Sequence, residues 1–180
     1  METDTLSYHD LLFDIGRSVR YHNRRRAFFD RIDRLANMLS VIFGSTAVYG
    51  VLAQDHQALA LTAAALVTVL SAINLVVGSS QKARAHADFA RRFIELEKRM
   101  IGVPADSVEL SEIWRDRLSI EADEPPVLNI LNVICHNEQM RSMGYPGKKM
   151  ASLRWWQRAF AQIIDLREDL IAVEPSTKPD

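Results

Sequence analysis

The fold is decided by residues 35–80, which read LANMLSVIFGSTAVYGVLAQDHQALALTAAALVTVLSAINLVVGSS. Only Asp55 and His56 interrupt two long runs of Leu, Ala, Val and Ile that carry no charged side chain. At about 1.5 Å of rise per residue, each run makes a helix of roughly 30 Å, which is the thickness of a bilayer's hydrocarbon core. A soluble helix of that length would carry charged residues on its water-facing side.

We therefore predict an all-α membrane protein built on a transmembrane hairpin, with spans at about 35–53 and 58–78. The alternative is a buried hairpin inside a larger soluble bundle. The chain has 180 residues, which leaves too little protein to cover two such helices on all sides. No apolar segment of signal-peptide length occurs in residues 1–34, so the first span is expected to act as an uncleaved anchor.

The average composition conceals this organisation. The formal net charge is −1 and the mean hydropathy is −0.08, yet an apolar centre lies between strongly polar flanks. Cys135 is the single cysteine and cannot form an intramolecular disulfide. A reducing compartment fits this composition without being required by it.

The basic residues predict the orientation of the hairpin. The loop between the spans contains no Lys or Arg, whereas both outer flanks are rich in them. By the positive-inside rule, both termini are expected in the cytoplasm, in a multi-pass membrane protein. The basic residues that flank the spans are Arg17, Arg20, Arg24, Arg25, Arg26, Arg31, Arg34, Lys82, Arg84, Arg91 and Arg92.

Four regions follow from this reading. Residues 1–34 are predicted to be a cytoplasmic amphipathic helix, whose Arg24–Arg26 run either sets the orientation or contacts anionic lipid headgroups. Residues 35–80 form the hairpin. Residues 81–172 are predicted to be a cytoplasmic helical module, and 173–180 a disordered tail. Within the module we expect helices at about 81–100, 107–121, 127–142 and 152–172.

Small and polar residues mark one side of each span. We assign Ser40 and Gly44 in the first span, and Ser71, Asn74 and Gly78 in the second, as candidate pore or helix-packing residues. Small residues at helical spacing allow close approach of helices in lipid. Asn74 is the most polar of them, and it either joins helices by a hydrogen bond or lines an aqueous path.

A second apolar pattern follows the hairpin. Phe89, Phe93, Leu96 and Met100 recur at steps of four, three and four, which is typical of a helix with one apolar seam. We predict that these four side chains form an oligomer seam. The seam would complement a similar one from Tyr8 to His22.

The sequence contains little catalytic chemistry. Cys135-His136-Asn137-Glu138 is the one polar cluster of interest, but it lacks the paired spacing of a metal site. We expect Cys135 to lie in the core, and His136 and Glu138 to hold this helix to its neighbours by hydrogen bonds. Gly147-Lys148-Lys149 lacks the spacing of a phosphate loop. We therefore predict no catalytic residue, no metal and no cofactor.

The order of these parts resembles a known family. A basic helix, two closely spaced spans, a long helix with the pattern Arg91-Arg92-Phe93-Ile94-Glu95-Leu96-Glu97 and a small helical tail are similar to SLATT proteins, the SMODS and SLOG-associating two-transmembrane effector domains. The resemblance covers roughly residues 10–170. It implies an effector of bacterial anti-phage conflict that forms a pore. This chain carries no nucleotide-sensing module, so a separate nucleotide-signal sensor or synthase would be its partner.

Three classes of function thus remain open. In the first, hairpins from several copies form a pore, because two helices alone cannot enclose a channel. In the second, a non-conducting hairpin anchors a helical docking module. The third, an enzyme acting through His136, is kept only as an outlier. The expected partners are membrane lipids and further copies of the chain, with no direct contact to nucleic acid.

Overall fold

The computed structural model describes residues 8–53, 56–104, 107–147 and 150–165. These residues are mostly helical and contain no strand, so the all-α prediction is confirmed. The helices, in chain order, are α1 (Tyr8–Leu52), α2 (Gln57–Val77), α3 (Ser79–Met100), α4 (Val108–Asp123), α5 (Asn129–Ser142) and α6 (Trp155–Phe160).

The chain divides into two compact units. The first, called here the helical unit, joins residues up to Arg24 with those from Ala87 onward, and the second, the hairpin unit, is Arg25–His86. The predicted regions 1–34 and 81–172 instead placed the start of α1 and the module in separate parts. The structure groups them together because the first turns of α1 share a core with α3 and α4.

The core of the helical unit is an apolar cluster contributed by α1, α3 and α4. Phe93 and Met100 of α3 are fully buried there, as are Leu11 of α1 and Ile113 of α4. Burying a side chain of this size contributes about 1.5–3 kcal/mol. The other buried members are Ile15, Leu96, Leu110 and Ile120, and Phe89 packs against them.

The four side chains of the predicted oligomer seam take part in this packing. Phe93, Leu96 and Met100 are covered by α1 and α4 of the same chain, and Phe89 is half-buried beside them. The predicted seam from Tyr8 to His22 takes part in the same cluster. Both apolar patterns therefore pack within one molecule in this structure.

An ionic network secures the same three-helix core. Arg117 of α4 is only 6% exposed, and its guanidinium lies 3.0 Å from Asp14 and 2.6 Å from Glu121. It also lies over the Trp114 ring, 4.8 Å from the centroid. Two carboxylates and an aromatic face thus compensate the burial of one charge.

A second apolar cluster joins α5 and α6 to the middle of α1. Tyr21, Ile130, Leu131, Cys135 and Ala161 are its buried members. The Tyr21 hydroxyl accepts a hydrogen bond from the Leu128 N–H at 3.0 Å, just before α5 begins. The predicted helices at 107–121 and 127–142 are confirmed as α4 and α5.

The predicted last helix at 152–172 is much shorter in the structure. Helix α6 ends at Phe160, and residues 161–165 form turns and irregular chain. This irregular segment brings in Asp165, whose carboxylate accepts hydrogen bonds from the N–H groups of Asn129 and Ile130 at 2.6 and 3.0 Å. Helix α5 has no side-chain cap of its own, and Asp165 supplies one. The remainder of the predicted helix and the predicted tail at 173–180 lie outside the described residues.

The hairpin unit contains the second half of α1, all of α2 and the start of α3. Helix α1 continues without a break from the amphipathic segment into the first apolar run. The second apolar run does not continue straight into α3, because Gly78 separates the two helices. Its φ of 61° and ψ of 41° are left-handed, a conformation that favours glycine.

One stretch of the described chain, Gln57–Met100, is long and apolar enough to cross a membrane. It contains an 18-residue window with a mean hydropathy of 2.2, and 11% of that window is buried. Large side chains on the outer face of α2 are accordingly uncovered: Leu61 is 75% exposed, Leu75 84% and Val76 86%. Val41 and Val51 of α1 are each 68% exposed.

The predicted basic run at the start of this unit is held by partners within the protein. In the helical unit, Arg24 Nε donates to Glu138 at 3.1 Å, and this carboxylate raises the pKa of Arg24. In the hairpin unit, Arg25 lies 4.6 Å from the centre of the Phe29 ring, and Arg26 lies 3.7 Å from Asp30. Each of the three arginines therefore has an intramolecular contact.

Candidate functional site

Four of the five predicted small or polar residues line a single cavity between α1 and α2. Its volume is about 280 Å³. Ser40 lies on the α1 side, and Ser71, Asn74 and Gly78 lie on the α2 side. Gly44 is the exception, because it does not line the cavity, and a Cβ added to it would meet no other atom within 4 Å. The stripe on α2 thus faces α1 of the same chain at this end of the hairpin.

The residue that organises the cavity is Asp33, which the sequence analysis did not select. Asn74 Nδ2 donates to Asp33 Oδ1 at 3.3 Å, across 41 residues of sequence. Asn37 Nδ2, one turn further along α1, donates to Asp33 Oδ2 at 3.2 Å. Helical spacing could have shown that Asp33, Asn37 and Ser40 share a face, but not that Asn74 would meet them.

The carboxylate of Asp33 has no cationic partner among the described residues, since no ion pair includes it. Two more polar atoms of the lining are also unsatisfied. Asn74 Oδ1 and Ser79 Oγ are inaccessible to water and have no hydrogen-bond partner in the described part of the chain. Ser79 as a whole is 1% exposed. Such groups are costly unless a water or an ion satisfies them.

The helix break at Gly78 gives this end of the cavity its polar wall. The Gly78 N–H donates to Asn74 O at 3.0 Å and closes the last turn of α2. Helix α3 starts at the next residue, and its first three side chains, from Ser79 to Gln81, line the cavity. The residues just before the break, 75–77, are apolar, so the polar side chains at this end of the cavity come from the start of α3.

The opposite end of the hairpin is apolar. A groove of about 600 Å³ is lined there by residues including Val48 and Val51 of α1 and Leu61 of α2. The helices approach closely beside it, since a Cβ on Gly50 would lie 2.9 Å from the Cβ of Ala60. Close approach of small residues is the usual mode of helix packing in lipid.

The polar cluster of α5 is occupied by structural contacts. Asn137 donates to Ala151 O at 2.7 Å and accepts from Ala151 N at 3.0 Å. Glu138 binds Arg24, and the His136 ring lies edge-on to Phe13 with centroids 4.9 Å apart. Cys135 is fully buried, and burial raises the pKa of its thiol to about 12. A thiol with so high a pKa is a poor nucleophile and metal ligand at neutral pH.

The helical unit contains a cavity that was not expected from the sequence. It has a volume of about 310 Å³ and is lined by residues that include Arg17, His22 and Glu124. His22 Nε2 lies 3.0 Å from Glu124 Oε1, and its ring stacks on Phe89 and Phe93 at 5.1 and 5.7 Å. His22, the last residue of the predicted seam from Tyr8, is therefore a buried residue with aromatic contacts and a hydrogen bond to Glu124.

No group of three or more His, Cys, Asp or Glu side chains arranged to hold a metal occurs in residues 8–53, 56–104, 107–147 and 150–165. Comparison with protein-family models, with curated proteins and with solved structures finds no match to this chain.

Proposed function

We propose that the chain is a two-span protein of the bacterial inner membrane whose hairpins assemble into a pore. The first support is the uncovered apolar surface on both α1 and α2. Val41 and Val51 on α1, and Leu75 and Val76 on α2, are each more than two-thirds exposed. A water-soluble protein rarely leaves so large a contiguous apolar surface uncovered, whereas lipid or further copies of the hairpin would cover it.

The observation that carries the proposal is the polar cavity at one end of this apolar hairpin. An Asp33 carboxylate without a cationic partner and the unsatisfied Asn74 amide lie where the apolar runs begin and end. Asn74 lies inside the second apolar run, where an amide faces a bundle interior or water because lipid cannot satisfy it. A pore axis supplies that water.

Assembly would use the hairpin rather than α3. The side chains of the predicted seam are consumed inside the helical unit, so the surfaces left for contact between copies are the outer faces of α1 and α2. The apolar groove beside Gly50 and Ala60 is suited to accept a large side chain of a neighbouring hairpin. At least about four helices are needed to enclose a channel, so two or more copies must associate.

The resemblance to SLATT effectors gives this pore a biological setting. In that setting the pore would act in anti-phage defence, and a separate nucleotide-signal sensor or synthase would open it. The arginine-rich flanks favour a hairpin with both termini in the cytoplasm. Membrane damage on activation would be the output.

A non-conducting anchor is the second candidate, and the helical unit is the observation that favours it. This unit has its own apolar cluster and a compensated buried Arg117. Such a unit could dock a partner while the hairpin only holds it at the membrane. Asn74 would then be a helix–helix hydrogen bond, worth about 0.6 kcal/mol on average.

Release of a dye or of ions from liposomes separates the two candidates. Purified wild-type protein is expected to cause leakage above that of empty liposomes. Asn74→Leu is expected to reduce leakage, because an apolar side chain raises the barrier to wetting the path. Toxicity on overexpression should fall in parallel.

Thr68→Val is the matched control on the same helix. Thr68 Oγ1 donates to Ala64 O at 2.9 Å within α2, so its loss removes a polar group that does not line the cavity. This variant should leak as wild type does. Wild-type protein that assembles but leaks no more than empty liposomes, with and without a co-expressed sensor, would exclude the pore and leave the anchor. Equal leakage from wild type and Asn74→Leu would place the lining elsewhere.

A further inference from the structure

The cavity around Asp33 has the composition of a site for a small hard cation. Its polar lining consists of one carboxylate, amides and hydroxyls, which are the oxygen ligands that alkali and alkaline-earth ions prefer. No Lys, Arg or His is among its lining residues, which include Asn37, Ser40 and Ser80 besides those described above. The cavity therefore carries an uncompensated negative charge.

The unsatisfied atoms provide a second and independent observation. Ser79 lines the same cavity and is only 1% exposed. Its Oγ has no hydrogen-bond partner among the described residues. Asn74 Oδ1 is in the same situation. A water could satisfy either atom, but a water leaves the charge of Asp33 without compensation. A cation satisfies the charge and the oxygens together.

The Asn74 amide explains how the empty and occupied states can differ. Its nitrogen donates to Asp33 in the structure, and its oxygen is the buried unsatisfied atom. A half-turn about the Cβ–Cγ bond exchanges the two atoms. The oxygen would then face the carboxylate, which is repulsive without a cation and favourable when both oxygens share one.

We propose that this cavity binds a monovalent alkali cation through Asp33, Asn74 and Ser79, and that it makes the pore cation-selective. The charge of the site favours a monovalent ion, because one carboxylate balances one positive charge, whereas Ca²⁺ takes six to eight oxygen ligands and Mg²⁺ keeps several of its waters. The cation selectivity rests on the proposed pore, in which each copy contributes one Asp33 to a ring. Rings of acidic side chains select cations in channels.

Thermal unfolding of the full-length protein in detergent tests binding without any need for conduction. The salt is NaCl, KCl or choline chloride at constant ionic strength, since a ligand that binds only the native state raises the midpoint with the logarithm of one plus the ratio of its free concentration to Kd. The wild-type midpoint should rise with Na⁺ or K⁺ concentration relative to choline. Asp33→Asn should weaken the apparent affinity by about tenfold or more, because the charge is lost while the size of the side chain is kept.

Asp30→Asn is the matched control. Asp30 lies one turn earlier on α1, pairs with Arg26 and does not line the cavity, so the alkali-cation effect should be retained. Ser79→Ala provides a second variant in case Asp33→Asn fails to fold, and it should also weaken the effect. A wild-type midpoint equal in alkali and choline salts, or an alkali effect retained in Asp33→Asn or in Ser79→Ala, would overturn the site.

The pore and the site can fail separately. Stabilisation by alkali cations without any leakage would retain the site and exclude the pore. Leakage without an alkali-cation effect would retain the pore and exclude the site. In a conducting bilayer with a KCl gradient, the reversal potential of the wild-type protein should lie near the equilibrium potential of K⁺. In Asp33→Asn it should move toward zero.

Discussion

His136 lies on α5 with its ring against Phe13, in a place where protonation is unfavourable. Burial lowers its pKa from the ordinary 6.5, the nearby Arg17 lowers it further, and Asp14 opposes both effects. The unfolded chain has no such environment, so it binds a proton to this residue at a higher pH than the folded chain does. Between about pH 6.5 and the lower folded pKa, the unfolded state therefore holds more protons.

The first prediction follows from that sign. The free energy of unfolding should decrease as pH falls through about 6.5, and His136→Gln should reduce this decrease because the titrating group is gone. The measurement is the thermal midpoint at about pH 7.5 and about pH 5 for both proteins. His56→Gln, a change in the exposed loop between α1 and α2, is the control and should keep the wild-type dependence. A pH dependence in His136→Gln equal to that of wild type would contradict the assignment.

Residue types and spacing predicted the contents of the polar cavity only in part. Ser40, Ser71, Asn74 and Gly78 were recognisable because small and polar residues are conspicuous in apolar runs. Asp33 was not, because it precedes the run and resembles an ordinary charge at a helix flank. Its role depends on the register of α1 against α2, which no local pattern encodes.

At the scale of single elements, α3 shows that a periodicity identifies a buried face without identifying what covers it. The spacing of Phe93, Leu96 and Met100 correctly indicated a helix with one buried face. The pattern does not record what covers that face, and α1 and α4 of the same chain do so. Helices α1 and α4 each carry an apolar stripe as well. These two stripes are enough to cover the apolar face of α3 within one chain.

The second prediction concerns Phe93. Phe93→Ala should destabilise the helical unit by about 3–5 kcal/mol, because a fully buried aromatic side chain leaves a cavity. Urea unfolding followed by tryptophan fluorescence reports on this unit, since Trp114 packs against the same cluster. Phe160→Ala is the matched control, and because Phe160 is 45% exposed its cost should stay below that of Phe93→Ala. Dissociation of an oligomer with unchanged unfolding would restore the seam between copies.

Helix α6 illustrates the opposite case, in which periodicity suggested too long an element. Ile163 continues the apolar spacing of Trp156 and Phe160, so the pattern alone favours a helix through this region. The chain turns after Phe160 instead, which brings the carboxylate of Asp165 to the N-terminal N–H groups of α5. This contact across 36 residues is a tertiary interaction that local propensity does not contain.

The third prediction tests that contact. Asp165→Ala should lower the free energy of unfolding by about 1 kcal/mol, which is typical of the loss of a helix cap. Asp165→Asn should cost less, because its single carbonyl oxygen can still accept one of the two hydrogen bonds. Both values come from urea unfolding of the full chain. A cost of Asp165→Ala indistinguishable from zero would show that water satisfies the start of α5 equally well.

At the scale of the whole molecule, the asymmetry of basic residues is the feature on which the proposed orientation rests, with the helical unit on the cytoplasmic side of the membrane. The sequence determines this asymmetry directly, and no tertiary contact is needed to read it. The same asymmetry leaves only a short loop for the other side. A partner that activates the protein would then have to bind from the cytoplasm.

The fourth prediction tests the orientation with single cysteines. His56→Cys, in the exposed loop after α1, should react in intact cells with a bulky maleimide that is too large for a pore. Ile101→Cys, where the side chain is 79% exposed in the helical unit, should react only after permeabilisation. The native Cys135 should stay unlabelled in the folded protein, because it is fully buried and its thiol has a pKa of about 12. Wild-type protein thus provides the blank. Labelling of Ile101→Cys in intact cells would reverse the orientation and place the cavity around Asp33 at the outer end of the hairpin. Absence of labelling at both sites before permeabilisation would exclude a spanning hairpin.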